Sequence, residues 1–507
     1  MAPHIRTVRT PSGARGVQIV HSKRGGKRDL EYVGSAHTDA EYELLLIAAR
    51  RKMAGSQPEL DLGLEVPQAR SAVVPITASR LGVLWELLEI AYARLGFLGV
   101  PSDADGDVFR RLVFARILEP TSKLDSIRVL DEAGVSAPSY STLKRRLPGY
   151  ATGPFRDRLT KALAAHAALG PATLVLYDVT TLYFETHEGD GFREPGFSKE
   201  RRLEPQITVG LLTDASGFPL TVQAFEGNKA ETATILPTLQ VFMSAYDLDN
   251  VTVVADAGMV SEANKKQIEQ AGLGFILGAK MPTIPYQIQK WYREHPGEQI
   301  PDGYVFTQPW PAGPTDHRRD HVFYYRYSAD NARRTLKGID EQVRKAEAAV
   351  AGRAPVKRNR FIKLANATKT VNRDLETKAR ALAGIKAYVT NLTDQPPEFI
   401  ISAYHRLYQI ERSFRMSKHD LRARPIYHHI RESIDAHLTI VLAALAISRW
   451  LEAATGWSIK RVVTTLRRYR QIQITINGHP ITAEEPLPSD IAALIHEIRR
   501  DTKGAPS

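Results

Sequence analysis

Two short apolar, β-rich runs, each delivering an aspartate at its end, constrain this chain more than any other feature. Thr173-Leu-Val-Leu-Tyr177 is followed by Asp178, and Val251-Thr-Val-Val-Ala255 by Asp256. Between and after them lie two further strand-like runs, Pro205 to Thr213 and Phe218 to Phe225. Asp214-Ala-Ser-Gly217 joins these two as a hairpin turn. A helical stretch covers roughly 230–246, and a helix at 261–271 precedes a strand from Gly274 to Ala279. The order strand, hairpin, helix, strand, helix, strand predicts an α/β sheet with helices packed on it. Side chains at the carboxyl ends of such strands emerge from a rigid core, where ligands and catalytic groups gather. A lone aspartate there is more simply read as a turn cap, and Asp256-Ala-Gly258 would make a fair turn.

The remaining segments group around this core. Residues 1–80 read as a small β element, a helix and a linker. Val17, Ile19, Val20, Tyr32 and Val33 carry the β pattern across the turn-rich Lys23-Arg-Gly-Gly-Lys27. The helix runs from Asp39 to Met53, and 54–80 is Pro- and Gly-bearing. Residues 81–170 are mainly helical, with apolar spacing around Leu84, Leu87, Leu88 and Tyr92 and again at Phe109, Leu112, Val113 and Ile117. After the first part of the core, 171–281, residues 282–390 break the rhythm with Pro282, Pro285, Pro301, Pro309, Pro311 and Pro314. They read as an insertion with a β-like run from His321 to Tyr327 and a charged helix near 331–351, closed by the strand Ile385 to Thr390. Residues 391–470 form the second part of the core, and 471–507 a C-terminal tail.

A third carboxylate follows the insertion. In a helix starting near Ser402, the residues Tyr404, Leu407, Tyr408, Glu411, Phe414 and Lys418 recur at steps of mostly three and four and so share a face. That face is otherwise apolar and is expected to pack inward. A buried glutamate costs several kcal/mol unless it meets a cation or a metal. An ion pair with Arg415 or Lys418 is one solution. The other is a divalent metal, because two strand-end aspartates and a helix-borne glutamate make an all-oxygen ligand set suited to Mg2+ or Mn2+. Two such ions hold and polarise a phosphate for in-line attack. Arg412, Arg415, Lys418, Arg422, Arg424 and Arg431 follow Glu411 closely, a run that fits phosphate recognition or a solvated basic face.

Composition narrows the chemistry. The chain has 507 residues and no cysteine, which excludes disulfide scaffolds, Cys-ligated zinc, iron–sulfur clusters and thiol nucleophiles. Its 68 Lys and Arg against 56 Asp and Glu give a formal charge of +12, which favours a polyanionic partner. The most apolar run, Leu438 to Ile447, suits a core helix better than a membrane span of about 20 residues. No secretory h-region follows His4, Arg6 and Arg9, so the cytoplasm or nucleoid is the expected compartment.

Taken together, Asp178-Val-Thr-Thr-Leu-Tyr-Phe-Glu185, Val254-Ala-Asp-Ala-Gly258 and Tyr408-Gln-Ile-Glu-Arg-Ser-Phe-Arg-Met-Ser-Lys418 resemble a DDE transposase. Leu421 and Arg424-Pro-Ile-Tyr-His428 extend the likeness, as do Pro205-Gln-Ile, Gly217-Phe-Pro-Leu220 and Glu226-Gly-Asn228. The chain is most similar to bacterial insertion-sequence transposases with a β-rich insertion before the catalytic Glu. The resemblance spans most of 15–455. It implies an α/β, RNase H-like catalytic core, a mixed sheet with flanking helices interrupted by an α+β insertion, with a mainly helical N-terminal region. It also implies that Asp178, Asp256 and Glu411 are the catalytic, metal-binding triad for two Mg2+ or Mn2+ ions. Of the family's helix signature, Tyr404, Glu411 and Lys418 fit. The signature Arg position holds Leu407 with Arg406 beside it, so its phosphate contact falls to Arg406, Arg412 or Arg415. The implied activity is recognition of terminal inverted repeats, cleavage by metal-activated water and transfer of the 3′-hydroxyl to target DNA. The implied assembly is a homodimer. A plain RNase H-like nuclease or resolvase, and an idle DNA-binding derivative, are the rival functions.

Further DNA contacts are expected from Tyr404, Arg422 and Arg424, and from a helix-turn-helix over 121–147. One helix there runs from Thr121 to near Ala133-Gly134. The basic helix Ser139 to Leu147, carrying Lys144, Arg145 and Arg146, ends at Pro148. Lys357, Arg358, Arg360 and Lys363 make the insertion a second candidate surface. Trp291 and Trp310 are candidates for stacking on a displaced base, with packing inside the insertion as the simpler alternative. His428, His429 and His437 lack metal-site spacing and are expected to pack in the core or at its rim.

Overall fold

The computed structural model describes residues 3–10, 13–22, 28–54, 76–101, 105–167, 169, 173–185, 188–196, 204–246, 251–259, 261–314, 316, 318–355, 359–365, 368–476 and 479–501. The turn 23–27, most of the linker and Lys357 and Arg358 lie outside the described residues. The chain divides into two compact units, one of residues 1–168, 182–207 and 413–507, the other of 169–181 and 208–412.

The first unit opens with three antiparallel strands, β1 (His4–Arg9), β2 (Arg15–Ser22) and β3 (Arg28–Ala36). Val17 and Ile19 of β2 are fully buried against Ala49 of α1 (Asp39–Ala54), which gives this small sheet its own core. Next come β4 (Ile76–Arg80), α2 (Gly82–Arg94), α3 (Asp105–Leu118), α4 (Asp125–Glu132), α5 (Tyr140–Arg146) and α6 (Gly153–Ala167). The two short helices stop where the sequence predicts. Gly134 takes φ +76° after α4, and the Ser139 hydroxyl caps α5 by accepting from the Thr142 amide at 3.2 Å.

The second unit is built on the sheet that the strand pattern predicts. Its strands are β5 (Leu174–Tyr183, continuing past residue 181), β6 (Gln206–Asp214), β7 (Pro219–Glu226), β8 (Thr252–Ala255) and β9 (Gly274–Ala279), then β10 (Val305–Trp310), β11 (His321–Tyr327) and β14 (Ile385–Thr390). Helices α7 (Ile235–Tyr246), α8 (Glu262–Gln270), α9 (Tyr286–Glu294), α10 (Ala329–Val350) and α11 (Arg373–Ala381) and the small hairpin β12 (Ile362–Ala365) and β13 (Thr368–Val371) lie between them. The eight strands run β10-β11-β14-β9-β8-β5-β6-β7. β5, β8 and β9 are parallel, whereas β14, β11 and β10 add on antiparallel, so the sheet is mixed. β8 is buried along its whole length, as strands covered on both faces must be. The prolines of 282–390 therefore do not cut that segment from the sheet, because β10 and β11 extend it. Pro309 is tolerated on β10 because that strand is the edge. Beside them Trp291 packs with Ile288, Ile300, Phe306 and Tyr325, and stacks on His295 at 4.7 Å.

The single helix expected from near Ser402 is two, α12 (Pro397–His405) and α13 (Leu407–Arg415), broken at Arg406 and followed by a π turn, Met416–Asp420. The first unit resumes with α14 (Arg431–Thr455), α15 (Ile459–Leu466), β15 (Gln471–Ile476), β16 (His479–Glu484) and α16 (Ser489–Asp501). α14 is long and apolar enough to cross a membrane, but 83% of its apolar window is buried inside the protein, as a core helix would be. Beyond 470 the chain is an ordered hairpin, and β15 pairs with β4.

Candidate functional site

The sheet brings the two aspartates together. β5 and β8 pair in parallel with Val175 opposite Val253 and Leu176 opposite Val254. The pairing ends there; Asp178 lies two residues beyond Leu176, still within β5, and Asp256 lies two beyond Val254, just past the end of β8. The two aspartates are thus carried by neighbouring parallel strands of one sheet. The β8–β9 register, Val254 opposite Ile276 and Ala255 opposite Leu277, brings Gly278 next to Asp256. Contrary to the sequence expectation, β5 does not end at Asp178 but continues to Tyr183, so Asp178 is half-buried within its strand, while Asp256, just past β8, is exposed. Each carboxylate is anchored by the following amide, Val179 N to Asp178 Oδ1 and Ala257 N to Asp256 Oδ1, both 2.8 Å.

α12 ties in through Tyr404. Its hydroxyl donates to Asp256 Oδ1 at 2.6 Å, and its ring meets Tyr388 edge-on at 5.0 Å with the Lys386 ammonium 4.4 Å above it. Burial, then Asp256, and to a smaller degree the Glu411 charge, push the phenol well above its usual pKa. The contact needs Gly278, because a Cβ there would stand 2.6 Å from the Tyr404 hydroxyl and 3.0 Å from Ala257 N. A second glycine holds the next segment. Gly217, at φ +83° in the β6–β7 turn, lies so close to Gln409 that a Cβ would come within 2.7 Å of its carbonyl oxygen. Asp214 shapes that turn by accepting from the amides of Ser216 and Phe218, each at 2.8 Å.

Several expectations change here. Glu411 is exposed, not buried, and Tyr408 is 60% exposed. The break at Arg406 shifts the helical phase, so the buried stripe becomes Ile400, Ala403, Tyr404, Ile410 and Phe414. Glu411 therefore carries no desolvation penalty. Tyr404, expected to contact DNA, is buried with its hydroxyl committed to Asp256. Lys418 sits in the π turn rather than on a continuous α-helical face with Glu411. Among the described residues no three His, Asp or Glu side chains form a ready metal cluster. The oxygen donors of Asp178 and Asp256 nevertheless fit a hard divalent cation by chemistry and placement.

Of the basic residues, Arg406, Arg412, Arg415, Arg422, Lys144 and Arg145 are exposed, and Arg146 and Arg424 half-buried. Lys144, Lys418, Arg422 and Arg424, which the sequence spreads over 280 positions, line one cavity of the first unit. Arg360 and Lys363 are exposed in the insertion, and Trp310 is 50% exposed at the end of edge strand β10. His437 is buried and its Nε2 lies 3.1 Å from the Ala423 carbonyl, while His429 Nδ1 lies 3.1 Å from Arg193 Nη1. Gly217 was legible as a turn glycine but not its approach to Gln409, and Gly278 escaped notice, although a glycine inside a strand run is a signal of close backbone approach.

A mixed α/β sheet carrying two aspartates on neighbouring parallel strands is an architecture suited to metal-dependent chemistry on phosphates. Residues 169–447 match the family described as "Transposase DDE domain", and the chain belongs to that family. No curated protein matches it. Among solved structures, the cryo-EM structure of piggyBac transposase in a synaptic complex with hairpin DNA is similar at 10% identity. That likeness covers 84% of this chain and 80% of the other, with a TM-score of 0.38.

Proposed function

We propose that this protein is the DNA transposase of an insertion sequence, with an RNase H-like catalytic core. It binds the terminal inverted repeats of its element, cleaves there and joins the freed 3′-hydroxyl to target DNA, acting as a homodimer where cellular DNA is found. The observation that carries this is the placement of Asp178 and Asp256 on the neighbouring parallel strands β5 and β8, each two residues beyond the paired Leu176 and Val254, in a chain of the DDE family. Asp178 and Asp256, with Glu411, would hold divalent Mg2+ or Mn2+. When bound, these ions supply an activated water and neutralise charge building on the phosphate. The chain's own part is positioning. The Tyr404 hydroxyl fixes Asp256 Oδ1. The Gly217 turn braces the segment that carries Glu411. Arg406, Arg412, Arg415, Lys418, Arg422 and Arg424 then offer cations for the DNA backbone, and α5 with Lys144, Arg145 and Arg146 offers a basic recognition helix.

The test is a strand-transfer assay with the full chain, labelled DNA carrying the element's inverted repeats, and Mg2+. Joined product that requires both the repeat and the metal is the expected result. Nicking of any duplex without joining would mean a plain nuclease, and end binding with no cleavage an idle derivative.

A further inference from the structure

The first unit contains a cavity of about 1040 Å3, where the end of α3, residues 120–124, α5, Tyr183 and the segment 418–437 meet. Six basic side chains, Arg116, Lys123, Lys144, Lys418, Arg422 and Arg424, line it, against the single carboxylate of Glu432. Arg116 and Lys123 are half-buried. Arg116 has no hydrogen-bond or ion-pair partner among the described residues. Among the described residues, the Lys123 ammonium reaches only a neutral partner, His428 Nδ1, at 3.3 Å.

The surroundings make that arrangement unfavourable in the free protein. Burial, with Arg116 adding, pushes Lys123 down to about 7. Burial, with Lys123 and Arg116 adding, pushes His428 down to about 3, and His437 behind it is likewise held well below its ordinary value. Both imidazoles are thus neutral, so Lys144, Lys418, Arg422 and Arg424 add positive charge around Arg116 and Lys123, and Glu432 alone opposes it. Buried cations without counter-charges cost free energy unless an anion from outside meets them. The cavity is larger than a lone phosphate needs, and it carries aromatic faces. Tyr140, Tyr183 and Tyr427 line it, with Lys144 5.5 Å from the Tyr140 ring and Arg424 5.5 Å from that of Tyr183. Cations that track a backbone beside aromatic rings that stack bases are how proteins hold an unpaired strand.

We infer that this cavity binds a segment of single-stranded DNA, one phosphodiester seated between Arg116 and Lys123 and its bases lying against the tyrosines. The inference rests on the transposase reading, since strand cleavage is what would supply an unpaired end.

The experiment uses the full chain, a fluorescent oligothymidylate of about ten nucleotides, and a duplex of the same length. Anisotropy gives binding of each to wild type, Arg116→Gln, Lys123→Met and the double variant. Each charge-assisted contact removed should weaken strand binding roughly tenfold. The log–log salt slope should fall by about 0.7 per lost phosphate. Duplex binding should change less than about threefold. Unchanged strand binding in folded variants overturns the inference, as does an equal loss for strand and duplex. Melting temperature serves as the folding control, and removing these cations should leave it level or raise it. Should the variants unfold, wild type still decides: its strand binding should fall steeply with salt, and a log–log salt slope near zero refutes the site. Failure of wild type to join DNA, with strand binding still lost in the variants, would sink the transposase reading alone. Intact joining with unaltered strand binding would sink the pocket alone.

Discussion

The two charged regions of this protein are built in opposite ways. The carboxylates of the second unit are shallow, set on adjacent parallel strands and fixed by backbone amides and one phenol. The cations of the first unit are gathered in a cavity from segments far apart in sequence, and the inner ones face neutral or positive neighbours. A carboxylate pair placed by a rigid sheet keeps its geometry with or without a ligand. A cationic cavity without counter-charges costs stability until an anion arrives. The first arrangement suits chemistry, where placement matters most. The second suits binding.

The comparison breaks most visibly at Asp256. Asp256→Asn keeps the shape and the Tyr404 contact but removes a metal ligand. Joining should fall by about 10³-fold or more while end binding stays within about threefold, read by strand-transfer and mobility-shift assays. Equal loss of both would make Asp256 a turn residue. Next in size is Gly278→Ala, whose methyl would press on the Tyr404 hydroxyl and the Ala257 amide. Overpacking of this kind costs about 1–3 kcal/mol, measurable by denaturant unfolding, and should lower joining more than DNA binding.

Acid should find the other region. His37, held down to about 4, and His428, held down to about 3, stay neutral when folded but protonate when unfolded below about 6.5. The unfolded state then binds more protons, so stability should decline as pH falls from 6.5 toward 5, by about 1 kcal/mol for each histidine. Urea midpoints across that range check it, and His428→Gln should flatten the decline. The smallest effect belongs to Lys418→Ala. A lysine touching phosphate acts as a point charge, so end-DNA binding should weaken similarly for every sequence and the salt slope should drop by about 0.9.

How much of this was legible depended on distance along the chain. The strand ending just before Asp256, the Asp214–Gly217 turn and the Ser139 cap are local, and their residues declare them, whereas β5 runs on past Asp178 to Tyr183, so that aspartate lies within its strand and not at its end. Glu411 was misplaced as buried because one break, at Arg406, rotates the helical phase, and periodicity assumes an unbroken helix. Tyr404 was rightly set on an inward face, yet its partner lies 148 residues away and could not be inferred from spacing. Proline density suggested that 282–390 stands apart from the sheet, whereas β10 and β11 complete it, since only an edge strand accepts Pro309. The cavity was hidden altogether. Arg116 and Lys123 look like ordinary helix and loop cations until His428, 305 residues beyond Lys123, is seen against them.

The central claim is that Asp178 and Asp256 are metal ligands, and the most direct measurement is Mn2+ binding by the full chain without DNA, followed by electron paramagnetic resonance. Wild type should take up the ion, and the double variant Asp178→Asn/Asp256→Asn should bind it at least about tenfold more weakly with its melting temperature within a few degrees. Mn2+ binding that is the same in both proteins would contradict the account.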